Sequence, residues 1–261
     1  MIVVLPCFNE EKRLDPRAVE QLVADPRIDV ILVDDGSTDG TKALLESIAS
    51  RHPSRVTALA MGRNSGKAEA VRTGVTLALD RIERGAAKDD IVGYLDADFA
   101  TPADELSRML DIMLKSGAKV AMGSRISRLG ARVRRNPTRH YLGRLFATTA
   151  SMVLEMNIYD TQCGAKLFRD TPALRAAMSQ PFRSRWVFDV ELLGRLTTGT
   201  EGAPGLAETD FLEIPAEVWE DVRGSKLGVS GALRGGMDLL RLGARVKTGG
   251  RGEFFPRKRG S

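Results

Sequence analysis

Asp96-Ala97-Asp98 lies in the run IVGYLDADFATP, where a short apolar stretch ends in two carboxylates one residue apart. Carboxylate oxygens at the carboxyl end of a buried strand suit a hard divalent cation that holds a diphosphate. Alternate residues on a strand point to opposite faces, so both acids serve one site only where the backbone turns. The plain alternative is a polar strand-to-helix turn with an aspartate as its cap. Three other stretches offer groups of the same kind. In Pro6-Cys7-Phe8-Asn9-Glu10-Glu11, Asn9 or Glu10 either caps a helix or faces a ligand. In Asp34-Asp35-Gly36-Ser37-Thr38-Asp39-Gly40, two carboxylates are able to accept from the N–H and hydroxyl groups of a base and a ribose. Gly36 permits a tight turn there, and Ser37 or Asp39 caps the helix that follows. In Gly62-Arg63-Asn64-Ser65-Gly66-Lys67, helix-start amides and a lysine suit a phosphate.

These groups need a scaffold that delivers strand ends to one edge. Strands are expected at Ile2–Leu5, Val30–Val33, Val56–Ala60, Ile91–Leu95 and Val120–Met122, with helices at about 10–24, 39–50, 66–84 and 102–116. This alternation predicts an α/β fold with a mainly parallel sheet flanked by helices on both faces. Such sheets bind ligands beyond the carboxyl ends of their strands, where all four motifs fall. The GxxxxGK[ST] phosphate loop is absent, and no GxGxxG follows the first strand. After Ser124 the rhythm breaks. A helical period runs over 138–156, a strand is expected at Gly164–Phe168, a helix at Phe188–Leu196 and a last strand at Asp210–Ile214. A Gly-rich loop over 223–231, a helix over about 232–245 and a disordered basic tail over 248–261 complete the reading.

The chain has 261 residues and a formal charge of +5, with arginines crowded into 125–144 and the tail. Its two cysteines, Cys7 and Cys163, lie in apolar stretches and fit a reducing compartment better than a disulfide framework. The opening MIVVLP reads as a strand and not as a signal peptide, and no run is long and apolar enough to span a bilayer. With 5% aromatics and no recognition motif, the positive charge gives no case for nucleic acid. A cytoplasmic protein is expected, with peripheral contact to the membrane face through the arginine loop, the 138–156 helix and the RKR tail.

VLPCFNE, VDDGSTDGT, NSGKAEAVRTG and LDADFAT together resemble the inverting nucleotide-sugar glycosyltransferases of family 2, which have the GT-A fold. DTQCGAKLF, WVFDVELL, EIPAEVWED and GSKL are similar to the dolichyl-phosphate β-glucosyltransferases and polyprenyl-phosphate glycosyltransferases within it. The resemblance covers nearly residues 1–240. It implies a nucleotide-sugar-binding half at 1–123 and an acceptor-binding and catalytic half at 124–247 of one domain. It implies that Pro6, Glu10 and Asp35 surround the base, that Asp96 lies near the nucleoside and Lys67 near the diphosphate, and that Asp98 binds Mg²⁺ or Mn²⁺. Asn9 and Asn64 join this nucleotide-sugar set, and Lys226 belongs to a loop closing over the donor phosphates. The implied reaction moves a hexose, glucose from UDP-glucose, to polyprenyl or dolichyl phosphate.

A phosphate acceptor is largely ionised near neutral pH, its second pKa being ~6, so it needs positive charge more than a base. Arg125 and Arg139 are the expected phosphate ligands, matching arginines of the family pattern. A hydroxyl acceptor would instead need a base, with Asp189, Glu191 or Asp160 as candidates. Those acids serve equally to orient donor hydroxyls or to bond arginines, and Gln162 to touch the metal or the sugar. GDP-mannose as donor, a soluble acceptor, and a non-catalytic nucleotide-sugar module are the alternatives. A nucleotidyltransferase is disfavoured, since PCFNEEKRLD is unlike its Gly-rich first loop.

Overall fold

The computed structural model describes residues 1–126, 128–134, 137–220, 229–249 and 254. Its strands are β1 (Ile2–Cys7), β2 (Asp29–Asp34), β3 (Val56–Ala60), β4 (Ile91–Leu95), β5 (Val120–Ser124), β6 (Arg132–Arg134), β7 (Ala165–Arg169), β8 (Gly199–Thr200), β9 (Ala203–Pro204), β10 (Phe211–Pro215) and β11 (Val218–Glu220). The helices are α1 (Pro16–Ala24), α2 (Thr41–Arg51), α3 (Lys67–Glu83), α4 (Ala103–Ser116), α5 (Pro137–Leu154), α6 (Pro172–Met178), α7 (Phe188–Thr198) and α8 (Val229–Gly249).

Seven strands form the central sheet in the order β10-β5-β7-β4-β1-β2-β3. The five inner strands are buried on both faces, as a sheet covered by helices requires, and the edge strands β3 and β10 are partly exposed. One buried cluster joins α3, α6 and α7 to one face, and a second joins α1, α2 and α4 to the other. All pairings in this sheet are parallel except those of β7, which runs antiparallel between β4 and β5. The strand expected at Gly164–Phe168 is therefore present, and it splits the sheet between its two halves. From β1 the chain proceeds to β2 and β3 on one side, while β4 lies on the other. That reversal opens a crevice between the carboxyl ends of β1 and β4, where open α/β sheets take ligands.

Some boundaries differ from expectation for local reasons. The first helix starts at Pro16 and not near residue 10, because Asp15 accepts from Arg17 N and proline suits the first helical position. Residues Glu10–Leu14 instead make one tight turn, with Arg13 N and Leu14 N both donating to Glu10 O. The last helix begins at Val229 and reaches Gly249, two residues into the stretch read as a disordered tail. Within that stretch Phe254 is buried, its carbonyl accepting from Arg195 and its ring lying over Gly194. Both cysteines are buried free thiols, as expected.

Candidate functional site

The first two strand ends are stitched together by short polar side chains. Asn9 adopts a left-handed φ of 51°; its backbone N–H donates to Ser37 Oγ, and its Oδ1 accepts from Thr38 N at 2.9 Å. Glu10 N donates to Thr41 Oγ1 at 2.7 Å. Of the two expected caps, Asp39 accepts from Thr41 N at the start of α2, whereas Ser37 is used by Asn9. Asp35 is buried and accepts from Ser65 N at 2.6 Å and Gly66 N at 2.8 Å. Burial raises its pKa even against those two donors. Gly36, at φ 67°, passes so close to the backbone of Arg63 that a Cβ would sit 2.3 Å from its carbonyl carbon. Asp35 and Gly36 therefore fix the turn that starts α3 and aims Lys67 at the crevice.

After β4 the backbone does turn, with Phe99 N donating to Asp96 O at 3.1 Å and Phe99 itself at φ 51°. This brings both acids into one cleft. Asp96 pairs with Lys67 at 2.5 Å, and Asp98 pairs with Arg13 at 3.2 Å. Arg13 also reaches Glu10 at 3.3 Å, bridging the ends of β1 and β4. The Asp98 pKa is raised by burial and then by Asp96, so its charge lacks full compensation. Burial works against the Lys67 charge, but Asp96, Asp189 and Asp98 outweigh it and raise its pKa. Gly164 lies against Asp96 so closely that a Cβ there would meet the carboxylate at 2.2 Å. The glycine of DTQCG is thus needed for the acid of DAD to hold its place.

Among the described residues no group of three His, Cys, Asp or Glu side chains converges as a metal cage. Asp98, whose charge is undercompensated, with Asp96 beside it suits a hard cation that draws its other ligands from a diphosphate and water, and poorly suits an all-protein site. The residues fit the group, with Asp98 and Asp96 as the oxygens offered.

Beyond β5 the predicted residues behave differently. Arg125, expected at the acceptor phosphate, is clamped by Asp160 through Nε at 2.7 Å and Nη2 at 2.8 Å. Its guanidinium also lies 5.5 Å from the centre of the Trp219 ring. Burial opposes its charge, and Asp160 outweighs that and raises its pKa. The guanidinium fork of Arg125, expected at the acceptor phosphate, and the carboxylate of Asp160, a candidate base, are paired with each other here. Of the alternatives open for Asp160, bonding an arginine is the one observed. Asp160 N donates to Glu213 Oε1 at 2.7 Å, tying this pair to β10. Gln162 N donates to Asp160, while its buried Nε2 has no hydrogen-bond partner among the described residues.

Asp189, the other candidate base, is likewise engaged. Its Oδ1 accepts from the Tyr94 hydroxyl and from Lys166 Nζ at 2.7 Å, all inside the core. Lys166 donates also to Cys163 O. Burial, followed by Asp189, raises the Tyr94 pKa well above its usual value and keeps the hydroxyl a donor. Glu191 is buried against Arg195 at 2.6 Å. Asn64 is exposed and Pro6 half-buried beside the crevice. Lys226 lies outside the described residues, and so does the side chain of Arg139 on α5.

Reading the sequence alone passes over Arg13, Tyr94, Lys166 and Arg185. Only Arg13 left a signal, its spacing of three from Glu10. Arg185 stretches over Gly66, 3.2 Å from where a Cβ would stand, and acts electrostatically on Asp35.

The sequence model described as Glycosyl transferase family 2 matches residues 2–174. The dolichyl-phosphate beta-glucosyltransferase of Mus musculus is 32% identical, over 95% of this chain and 76% of its own. The polyprenol monophosphomannose synthase of Mycolicibacterium smegmatis is 30% identical, over 74% of this chain and 71% of its own. A solved mycobacterial protein shares the fold with a TM-score of 0.57 at 19% identity, over 93% of this chain and 74% of that one.

Proposed function

The chain belongs to glycosyl transferase family 2, and from that premise we propose that it moves glucose from UDP-glucose to a polyprenyl or dolichyl phosphate, with inversion and with Mg²⁺ or Mn²⁺. The observation that carries the donor side is the turn at Asp96–Phe99, which gathers Asp96, Asp98, Lys67, Arg13 and Glu10 in one crevice. A bound cation would neutralise charge developing on the departing diphosphate. Asp98 and Asp96 would hold it, Lys67 would face the diphosphate, and Glu10 and Asp35 would border the base. Asp35 does so from a carboxylate whose position two backbone amides fix.

The acceptor side rests on what is engaged. Asp160, Asp189 and Glu191 each hold a buried or half-buried cation, so none is presented as an open base. That favours a nucleophile already ionised, such as a phosphate monoester, over a hydroxyl. The glucosyltransferase relatives carry a lipid phosphate in their names, and two of them align over 94% and 95% of this chain. Among the described residues no helix is long and apolar enough to cross a membrane. Met152 on α5 and Met237 and Leu240 on α8 are exposed, and Arg241 directly follows Leu240, which supports peripheral contact with a bilayer.

The test is release of nucleoside diphosphate from UDP-glucose and from GDP-mannose, with and without polyprenyl phosphate and Mn²⁺. UDP release that requires both lipid phosphate and metal is the expected result. Turnover of GDP-mannose alone would move the donor to mannose, as in the mycobacterial relative. Turnover with a soluble sugar but not with lipid phosphate would overturn the acceptor.

A further inference from the structure

We propose that Arg13 is the cation's stand-in: in the ligand-free cleft its guanidinium joins Asp98 to Glu10, and it must release Asp98 before a divalent ion can bind. The inference rests on the reading of Asp98 as the metal carboxylate and extends it to a residue with no role in that reading.

The geometry follows from the tight turn after β1. Arg13 N and Leu14 N both close on Glu10 O, so the arginine side chain returns over the strand end it has just left. There Nε lies 3.3 Å from Glu10 Oε2 and Nη2 lies 3.2 Å from Asp98 Oδ2. One cation thus bridges the two sides of the crevice, across the opening between β1 and β4. Lys67 stands on the other acid, Asp96, so two monovalent side chains occupy the field that a divalent ion would neutralise.

Two comparisons separate a stand-in from a structural clamp. Arg125 grips Asp160 with two bonds of 2.7 and 2.8 Å, whereas the contacts of Arg13 to Asp98 and Glu10, at 3.2 and 3.3 Å, are longer and divided between two acids. Short bidentate pairs are the strong ones, and contacts at the long end of the hydrogen-bond range, about 3.2 Å and beyond, exchange more readily. Asp160 is also the more buried acid, at 8% side-chain exposure against 21% for Asp98. Arg13 and Arg125 are about equally exposed, at 19% and 20%, so what separates them is the acid each holds and the geometry of the contact. Because a guanidinium stays charged across the accessible pH range, this competitor does not titrate away. The metal has to displace it, and a diphosphate arriving with the metal supplies the anion that receives the released guanidinium.

The experiment is a titration of Mn²⁺, followed by the paramagnetic signal of the free ion, on wild type, Arg13→Gln, Arg13→Lys and Asp98→Asn, each with and without UDP. Arg13→Gln is expected to bind Mn²⁺ alone about three- to fivefold more tightly than wild type, since a partly exposed ion pair is worth that much. Arg13→Lys, which keeps the charge without the fork, should fall between them, and Asp98→Asn should bind least. A structural defect would weaken Mn²⁺ binding, so the gain is the diagnostic sign. If Arg13→Gln does not fold, the Arg13→Lys gain decides. Wild type that takes up Mn²⁺ with UDP while neither arginine variant binds it more tightly would overturn the inference alone. No Mn²⁺ uptake by wild type even with UDP would overturn the metal reading and the inference with it.

Discussion

The crevice after β1, β2 and β4 and the region after β5 contain the same residue types used in opposite ways. In the crevice Asp98, Asp96 and Lys67 keep between 21% and 39% of their side chains exposed, while Glu10, though buried, shares Arg13 with Asp98. Beyond β5, Asp160, Asp189 and Glu191 are buried, each matched to a cation by bonds of 2.6–2.8 Å. Charges of the first kind are available to a ligand, and charges of the second kind position the walls around it. A carboxylate's motif is a poor guide to which kind it is. Its partner decides. The two regions meet where β7 enters the sheet beside β4, with Gly164 against Asp96 and Lys166 against Asp189.

The largest effect that sharpens this contrast is expected at Lys166, whose side chain is fully buried. Lys166→Met leaves Asp189 as an uncompensated buried charge and should lower unfolding free energy by about 3–5 kcal/mol. Adding Asp189→Leu removes that charge and should restore part of the loss, despite a second change to the core. Denaturant unfolding of the three proteins checks both steps. A single variant as stable as its parent would mean that the pair does not bear on the fold, and the proposed division between regions would fail.

Asp98→Asn should do the reverse. It removes a charge the fold holds at a cost, so stability should stay level or rise slightly, while kcat/KM falls about a hundredfold, roughly 2.7 kcal/mol of transition-state stabilisation. Unfolding curves and initial rates on the same preparation distinguish the two. A variant that lost stability in proportion to activity would place Asp98 among the structural charges.

The crevice was largely legible because its parts are local. Apolar runs that stop in Asn9-Glu10, Asp34-Asp35 and Asp96-Asp98 declare both a strand and its carboxyl end, and the order of elements brings those ends to one edge. Arg125 with Asp160 and Lys166 with Asp189 were not legible as pairs, since each partner is 23 or more residues away and meets it only once β7 has inserted antiparallel. An arginine near a motif reads as a phosphate ligand in the sequence, and the acid it pairs with in the fold, Asp160 for Arg125, is not legible there. Arg13 is the converse: its contact with Glu10 is local, but its reach to Asp98 spans 85 residues and emerges only at the switch between β1 and β4.

The smallest effect expected is the pH dependence of the crevice. The Asp98 carboxyl lies above its ordinary value of 3.8, first through burial and then through Asp96. An acid raised in the folded state destabilises the fold when ionised. That cost is absent below 3.8, grows as pH rises through the window up to the raised value, and is complete above it. Binding of a cation needs the ionised form and so runs the other way, full above the raised value and declining as pH falls through it. Titrations of Mn²⁺ at successively lower pH should show the affinity declining sooner than an unperturbed aspartate would give. Asp35 is raised in the same direction by burial, so nucleotide affinity in Asp98→Asn should keep a residual decline of its own. A metal affinity flat down to the ordinary aspartate range would break the contrast at its root, because Asp98 would then carry no uncompensated charge to offer a cation.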